Sequence, residues 1–201
     1  MKALEDALAD LPPDEAGCRV FGLPSLARIL APTGEIGQVA GSILGERARP
    51  VRAILFNKSV VTNWALGWHQ DRTICVRERH DVPHYGPWTV KRGMHHVEPP
   101  EDLLSRMITI RAHLDSVTES NAPLVVSPSS HLLGRIPVSE VSAAVKACGT
   151  QTCLAEAGDL WLYATLILHA SDAARRPTSR RVLQVDYSAD ELPGGLQWLG
   201  V

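Results

Sequence analysis

The chain has 201 residues, 45% of them apolar and 21% charged, with a net charge of −2 and a pI near 6.4. That balance suits a globular protein with a substantial core, and it offers no global field for nucleic acid or anionic membrane. No apolar run approaches the ~20 residues of a membrane span. Acids at Glu5 and Asp6 stand where a secretory leader would be apolar, and the four cysteines, Cys18, Cys75, Cys148 and Cys153, are scattered without a CxxC pair. A cytoplasmic protein with reduced thiols is therefore expected.

Residues 1–50 read as helical support. Leu26, Ile29 and Leu30 share one face of a helix opening at Pro24, and Ile36, Val39, Ala40 and Ile43 stripe a second, from about Gly34 to Leu44, stopped by Gly45. From Val51 the pattern turns to strands: 51–57 is apolar and β-prone, 60–64 begins another, and 73–76 stays extended beyond a His-Gln-Asp triplet at 69–71. Residues 77–98 lose periodicity and carry Pro83, Gly86, Pro87 and Gly93 beside Tyr85 and Trp88. An aromatic-bearing loop of that length is expected to be a mobile lid over a pocket. A short helix follows Pro99-Pro100, strands at 107–115 and 124–126 flank a turn at 121–123, and 137–147 form an amphipathic helix. Strands at 160–163, up to His169, and through 181–187 complete the pattern, with 191–201 as a tail. No internal repeat divides the chain, so one domain over 1–201 is expected, with a β core at 51–190. Many short strands with turns between them give a mainly β fold, an antiparallel barrel or sandwich.

In an extended strand His69 and Asp71 project to one face and Gln70 to the other. An imidazole beside a carboxylate can hold a divalent transition metal, although an acid often does no more than orient its neighbouring histidine. His169 supplies a third donor after the apolar run Leu166-Ile167-Leu168, where an unpaired ring would be costly. Two histidines and one carboxylate make the facial triad that leaves open positions on iron(II). Arg180, eleven residues after His169, can clamp a carboxylate with two parallel hydrogen bonds. Arg180 and Arg181 point to opposite faces of the last strand, so at most one enters the barrel. Apolarity alone would favour the Leu183, Val185 and Tyr187 face as the interior.

His69-Gln70-Asp71, His169-Ala170-Ser171 and Arg180 resemble the signature of the phytanoyl-CoA dioxygenase family of iron(II)/2-oxoglutarate oxygenases. Phe56-Asn57-Lys58, Trp68, Asn121-Ala122-Pro123-Leu124, Pro128-Ser129-Ser130-His131 and the closing Arg-Arg-Val-Leu strand extend the resemblance from about Val51 to Tyr187. It implies a double-stranded β-helix, the cupin-like jelly roll, with flanking α-helices. It further implies iron(II) on His69, Asp71 and His169, and 2-oxoglutarate with its distal carboxylate on Arg180 and contacts from Gln70, Ser171 and Arg111. O2 would be the oxidant, succinate and CO2 the co-products, and a small molecule the substrate. Asp71 bears on reaction type, because related halogenases lack this carboxylate. The family spacing, with Gln184 further along the same face, favours Arg180 over Arg181 as the anchor. Ala122 and Ser129 stand where the family usually has glycine, in loops expected to lie away from the metal.

The competing reading is a non-catalytic cupin-like protein that binds a metal or small molecule, for which Arg180 would have no use. A zinc hydrolase on the same ligands would need a general base, and none is evident. Trp88, Lys91 and His96 in the expected lid are the candidates to face the substrate. With His80, His84 and His95 nearby, Lys91 and the histidines suit an anionic or polar molecule.

Overall fold

The computed structural model describes residues 1–201 and builds the chain from short antiparallel strands. The N-terminal part holds α1 (Lys2–Leu8), β1 (Gly17–Val20), α2 (Pro24–Leu30) and α3 (Glu35–Leu44). Then come β2 (Arg49–Lys58), β3 (Leu66–His69), β4 (Ile74–Val76), β5 (Trp88–Lys91), β6 (Met94–Val97) and α4 (Glu101–Ser105). The remainder is β7 (Ile108–His113), β8 (Leu124–Val126), α5 (Val141–Cys148), β9 (Gln151–Cys153), β10 (Leu160–Ala164), β11 (His169–Ser171) and β12 (Arg180–Ser188).

A five-stranded sheet, in the order β1-β2-β12-β7-β10, and a four-stranded sheet, β3-β11-β8-β9, form the walls of a double-stranded β-helix with α-helices outside it. The helices decide which face of the larger sheet is apolar. Leu183, Val185 and Tyr187 of β12 point outward and pack with Leu4, Leu8, Leu26, Leu30, Ile36 and Ala40 from α1–α3 in an eighteen-residue cluster. The Tyr187 hydroxyl donates to the Leu30 carbonyl at 3.1 Å, fixing α2 on the sheet. The other face of β12 looks into the barrel and carries Arg180, Val182, Gln184 and Asp186. The apolar face is thus an outer core under helices, and the polar face is the inner one, opposite to what apolarity alone suggested.

Two expectations change. Residues 1–50 are more than helical support, because β1 is the edge strand of the larger sheet, paired with β2 from Gly17↔Phe56 to Val20↔Ala53. The expected irregular lid at 77–98 contains a hairpin: β5 and β6 pair through Lys91↔Met94 and join β4 in a three-stranded sheet. Its two-residue turn, Arg92-Gly93, has φ of 53° and 77°, the left-handed pair that hairpin turns require. An arginine in the first of these positions hides the turn, since asparagine or aspartate is the usual signal. In smaller departures, Val60 and Val61 lie in an exposed turn instead of beginning a strand, and 138–140 is a 3-10 turn ahead of α5. The tail folds back, with Leu196 and Trp198 buried against β4 and α4. No helix is long and apolar enough to cross a membrane.

Leu183 is fully buried beneath the helices, away from the barrel interior. Leu183→Ala should lower stability in urea unfolding by about 2–5 kcal/mol. The inner face of the sheet should keep its geometry in the folded variant.

Candidate metal centre

Cross-strand pairing brings the two histidines together. β3 and β11 are antiparallel neighbours with His69 directly opposite His169, and the rings lie 4.2 Å apart between centroids. Asp71 follows two residues beyond His69, just past the end of β3. One donor atom from each of His69, Asp71 and His169 lies within 4.8 Å of the others. The Nδ1 of His69 is 2.8 Å from the Gly67 carbonyl, and that of His169 is 3.0 Å from the Ile167 carbonyl. A carbonyl can only accept, so each Nδ1 carries the proton and each Nε2 keeps its lone pair. Burial holds the His169 pKa down to about 4, so the ring is neutral at ordinary pH.

Asp71 is held as a carboxylate. Burial pushes its pKa up, but Arg52, both histidines and a hydrogen bond from Gln184 outweigh this and leave it below the usual carboxylate range. Gln184 Nε2 donates to Asp71 Oδ2 at 2.9 Å, and the Arg52 guanidinium approaches the same oxygen at 3.3 Å. Arg52 is in turn locked to Asp186 at 2.6 Å, and Asp186 accepts from Thr109 at 2.9 Å. The donor set is that of a facial triad: two neutral imidazoles and one ionised, oriented carboxylate.

Beside the triad the cavity, about 230 Å3, holds a second group of cations. Arg180 is 2% exposed; its Nη1 donates to the Ala122 carbonyl, its Nε has no partner, and no acid pairs with it. Burial, with Arg111 nearby, lowers its pKa to about 9. Lys58, 1% exposed, donates to Ser171 Oγ at 2.9 Å and the Asp172 carbonyl at 2.6 Å, with the Trp64 ring 4.9 Å away. Burial between Arg180 and Arg111 brings its pKa down to about 7. Arg111 donates to Gln184 Oε1 at 3.1 Å and stacks over Phe56. Arg181, by contrast, faces outward and pairs with Asp115 through both carboxylate oxygens.

Of the residues singled out from sequence, His69, Asp71, His169, Arg180, Ser171, Arg111 and Lys91 line the cavity. Gln70, Trp88 and His96 do not. Gln70 points to the opposite face, where its amide donates to the carbonyls of Gly134 and Leu166 and accepts from the Ile136 N–H at 2.9 Å. Trp88 packs in the cluster behind β4, beneath Arg79. His96 is fully buried behind the wall, between Cys75 and Arg19. Ala122 is not remote from the site, since its carbonyl accepts from both Arg180 and Ser171. Sequence reasoning missed Arg19, Arg52 and Lys58. Period-two alternation along β2 puts Arg52, Ile54, Phe56 and Lys58 on one face and would have found two of them.

The chain matches the family profile of phytanoyl-CoA dioxygenase (PhyH) over residues 30–182. A comparison with curated proteins gives no match. Among solved structures, EctD from S. alaskensis with 2-oxoglutarate and 5-hydroxyectoine superposes with a TM-score of 0.65 at 19% identity, over 93% of this chain and 65% of that one. SnoK, a non-heme alpha-ketoglutarate-dependent carbocyclase from nogalamycin biosynthesis, gives 0.59 at 16%, over 92% and 72%. EvdMO1 gives 0.54 at 19%, over 80% of this chain but 31% of its own length. Likeness at these identities carries the fold, and the chain spans less than two thirds of EctD and of EvdMO1.

Gln70 serves as a clamp that ties the strand carrying His69 to the 134–136 loop and to Leu166. Gln70→Ala strands a buried N–H and two carbonyls, and thermal or urea unfolding should register a loss of about 2–4 kcal/mol. A fall in 2-oxoglutarate affinity without any loss of stability would place this side chain in the cavity instead.

Proposed function

Because the chain belongs to the phytanoyl-CoA dioxygenase family, we propose that it is an iron(II)/2-oxoglutarate-dependent oxygenase that hydroxylates or otherwise oxidises a small molecule. One observation carries the reading beyond the family: a buried guanidinium, Arg180, stands in the cavity of the His-Asp-His triad with no anion to pair with. An uncompensated buried cation is costly, and a cavity that retains one fits an anionic ligand. A protein that bound metal alone would have no use for it. A cytoplasmic location agrees with four unpaired cysteines.

His69, Asp71 and His169 would hold the iron, and Arg180 would hold the distal carboxylate of 2-oxoglutarate. Lys58, Ser171 and Arg111 line the same end and complete its polar surround. Bound iron(II) with 2-oxoglutarate and O2 supplies the oxidising chemistry, with succinate and CO2 released. The protein's part is orientation. The carbonyls of Gly67 and Ile167 fix the tautomers, Gln184 and Arg52 aim the Asp71 carboxylate, and Trp64 covers Lys58 against water. A carboxylate in the triad supports oxidation over halogenation.

Anaerobic titration with iron(II) and 2-oxoglutarate tests the reading through the visible charge-transfer band of the complex. Arg180→Ala removes a charge-assisted pair of about 1.5–3 kcal/mol, so 2-oxoglutarate binding should weaken at least about tenfold while iron(II) binding persists. Arg181→Ala should leave both unchanged, and the reverse pattern would sink the assignment.

Lys58 gives the site a pH dependence. A dicarboxylate arriving beside an ammonium whose pKa sits at about 7 raises that pKa, so binding takes up a proton. Affinity for 2-oxoglutarate should therefore fall as pH rises from about 7 to about 9. Calorimetry in buffers of differing ionisation enthalpy reads the proton uptake directly. Lys58→Arg, which stays charged, should flatten the curve, and an unchanged slope in that variant would acquit Lys58.

A further inference from the structure

The cavity has a second cationic end that the co-substrate does not use. Six cationic side chains line it, Arg19, Arg52, Lys58, Lys91, Arg111 and Arg180, and Asp71 is the one acid among the lining residues. Arg52 is ion-paired with Asp186 and Asp71. Lys58, Arg111 and Arg180 cluster at the end already assigned to 2-oxoglutarate. Arg19 and Lys91 are left over, and neither makes an ion pair.

Their placement separates them from the first cluster. Arg180 pairs with Lys58, whereas Arg19 pairs with Ile54, which in turn pairs with Gln184. Arg19 thus stands four residues along β2 from Lys58, roughly 13 Å, and on the adjacent edge strand. Lys91 closes the same side from the β5–β6 hairpin, whose tip is tied to the N-terminal segment by an ion pair between Arg92 and Glu15. The triad lines the same cavity, where Gln184 and Arg52 both reach Asp71 Oδ2.

Arg19 is oriented but not neutralised. His96 Nδ1 donates to the Met94 carbonyl at 3.0 Å, which leaves Nε2 as an acceptor facing Arg19 Nε at 3.4 Å and the Cys75 thiol at 3.0 Å. Burial lowers the His96 pKa to about 4, so the ring brings no charge of its own. A neutral histidine therefore fixes one edge of the guanidinium, no acid pairs with it, and Arg19 lines the cavity. Ile54, Phe56, Leu66 and Leu124 give the cavity its apolar lining.

We propose that Arg19 and Lys91 bind an oxyanion of the substrate, so that the substrate class is a small apolar molecule carrying one carboxylate or phosphate group. The inference rests on the oxygenase reading in giving the Arg180 end to 2-oxoglutarate. The two anions then occupy opposite ends of one cavity, and the substrate's apolar body lies across the triad between them.

The test is anaerobic calorimetry of phenylacetate, hexanoate and phenyl phosphate, each against its uncharged counterpart (phenylacetamide, hexanamide and phenol), with iron(II) and 2-oxoglutarate present and then omitted. Wild-type protein should bind at least one anion at least about tenfold more tightly than its neutral partner, with the carboxylates and the phosphate ester telling the two oxyanions apart. Arg19→Gln and Lys91→Gln should each reduce that preference several-fold to tenfold, and Arg180→Gln should keep it. Lys91 is exposed, so its variant remains informative should the Arg19 variant fold poorly. No preference for any anion in wild type, or a preference that survives both substitutions, overturns the proposal. If 2-oxoglutarate fails to bind wild type while Arg19-dependent anion binding persists, the oxygenase reading fails and the anion site stands.

Discussion

Six cations face one cavity with a single lining carboxylate, and the fold is arranged to hold them there. Charges taken out of water are costly unless each is paired or awaits a partner. Arg52 is paired with Asp186 and Asp71, and so orients the triad carboxylate. Arg19, Lys58, Arg111 and Arg180 keep partial hydrogen bonds to neutral acceptors, the Ala122 and Asp172 carbonyls, Ser171, Gln184 and His96, while Lys91 stays exposed at the rim. Neutral acceptors orient a cation without cancelling it, so the positive field survives for ligands. The cost is offset elsewhere, by the outer cluster that seals β2, β7 and β12 under α1–α3.

Preorganisation follows from the same arrangement. The triad's tautomers are set by carbonyls two residues upstream, a constraint local to each strand and independent of any metal. Gln184 links the two groups, accepting from Arg111 and donating to Asp71, so the cationic cluster and the triad share one side chain. Ser130 accepts the Leu168 N–H at 2.8 Å and thereby holds the strand that delivers His169.

Left-handed backbone also falls on two residues beside these contacts. Ala122 and Ser129 adopt φ of 53° and 63°, in the left-handed region where glycine is the easy choice. At Ala122 the conformation is over-determined, because its carbonyl is gripped by Arg180 and by Ser171 at 3.1 Å. The strained peptide is thus part of how the guanidinium is aimed.

Much of this was legible in the sequence. His69 and Asp71 share a face because of strand periodicity alone, and the apolar run ahead of His169 marked it as a buried ring needing a partner. The alternation of β12 separated Arg180 from Arg181. What the sequence could not fix was which face of β12 is the inside: both are buried, one by helices and one by the opposite sheet, and apolarity marks the helix-covered side. It could not show β1, since four residues among helices carry no distinguishing period, nor the β5–β6 hairpin, whose turn lacks its usual residues. These are the elements that bring Arg19 and Lys91 to the cavity. Local periodicity determines the direction of a side chain, whereas pairing across 100 residues, from His69 to His169, and the choice of what covers each sheet face depend on burial of the whole chain at once, which only the tertiary structure decides.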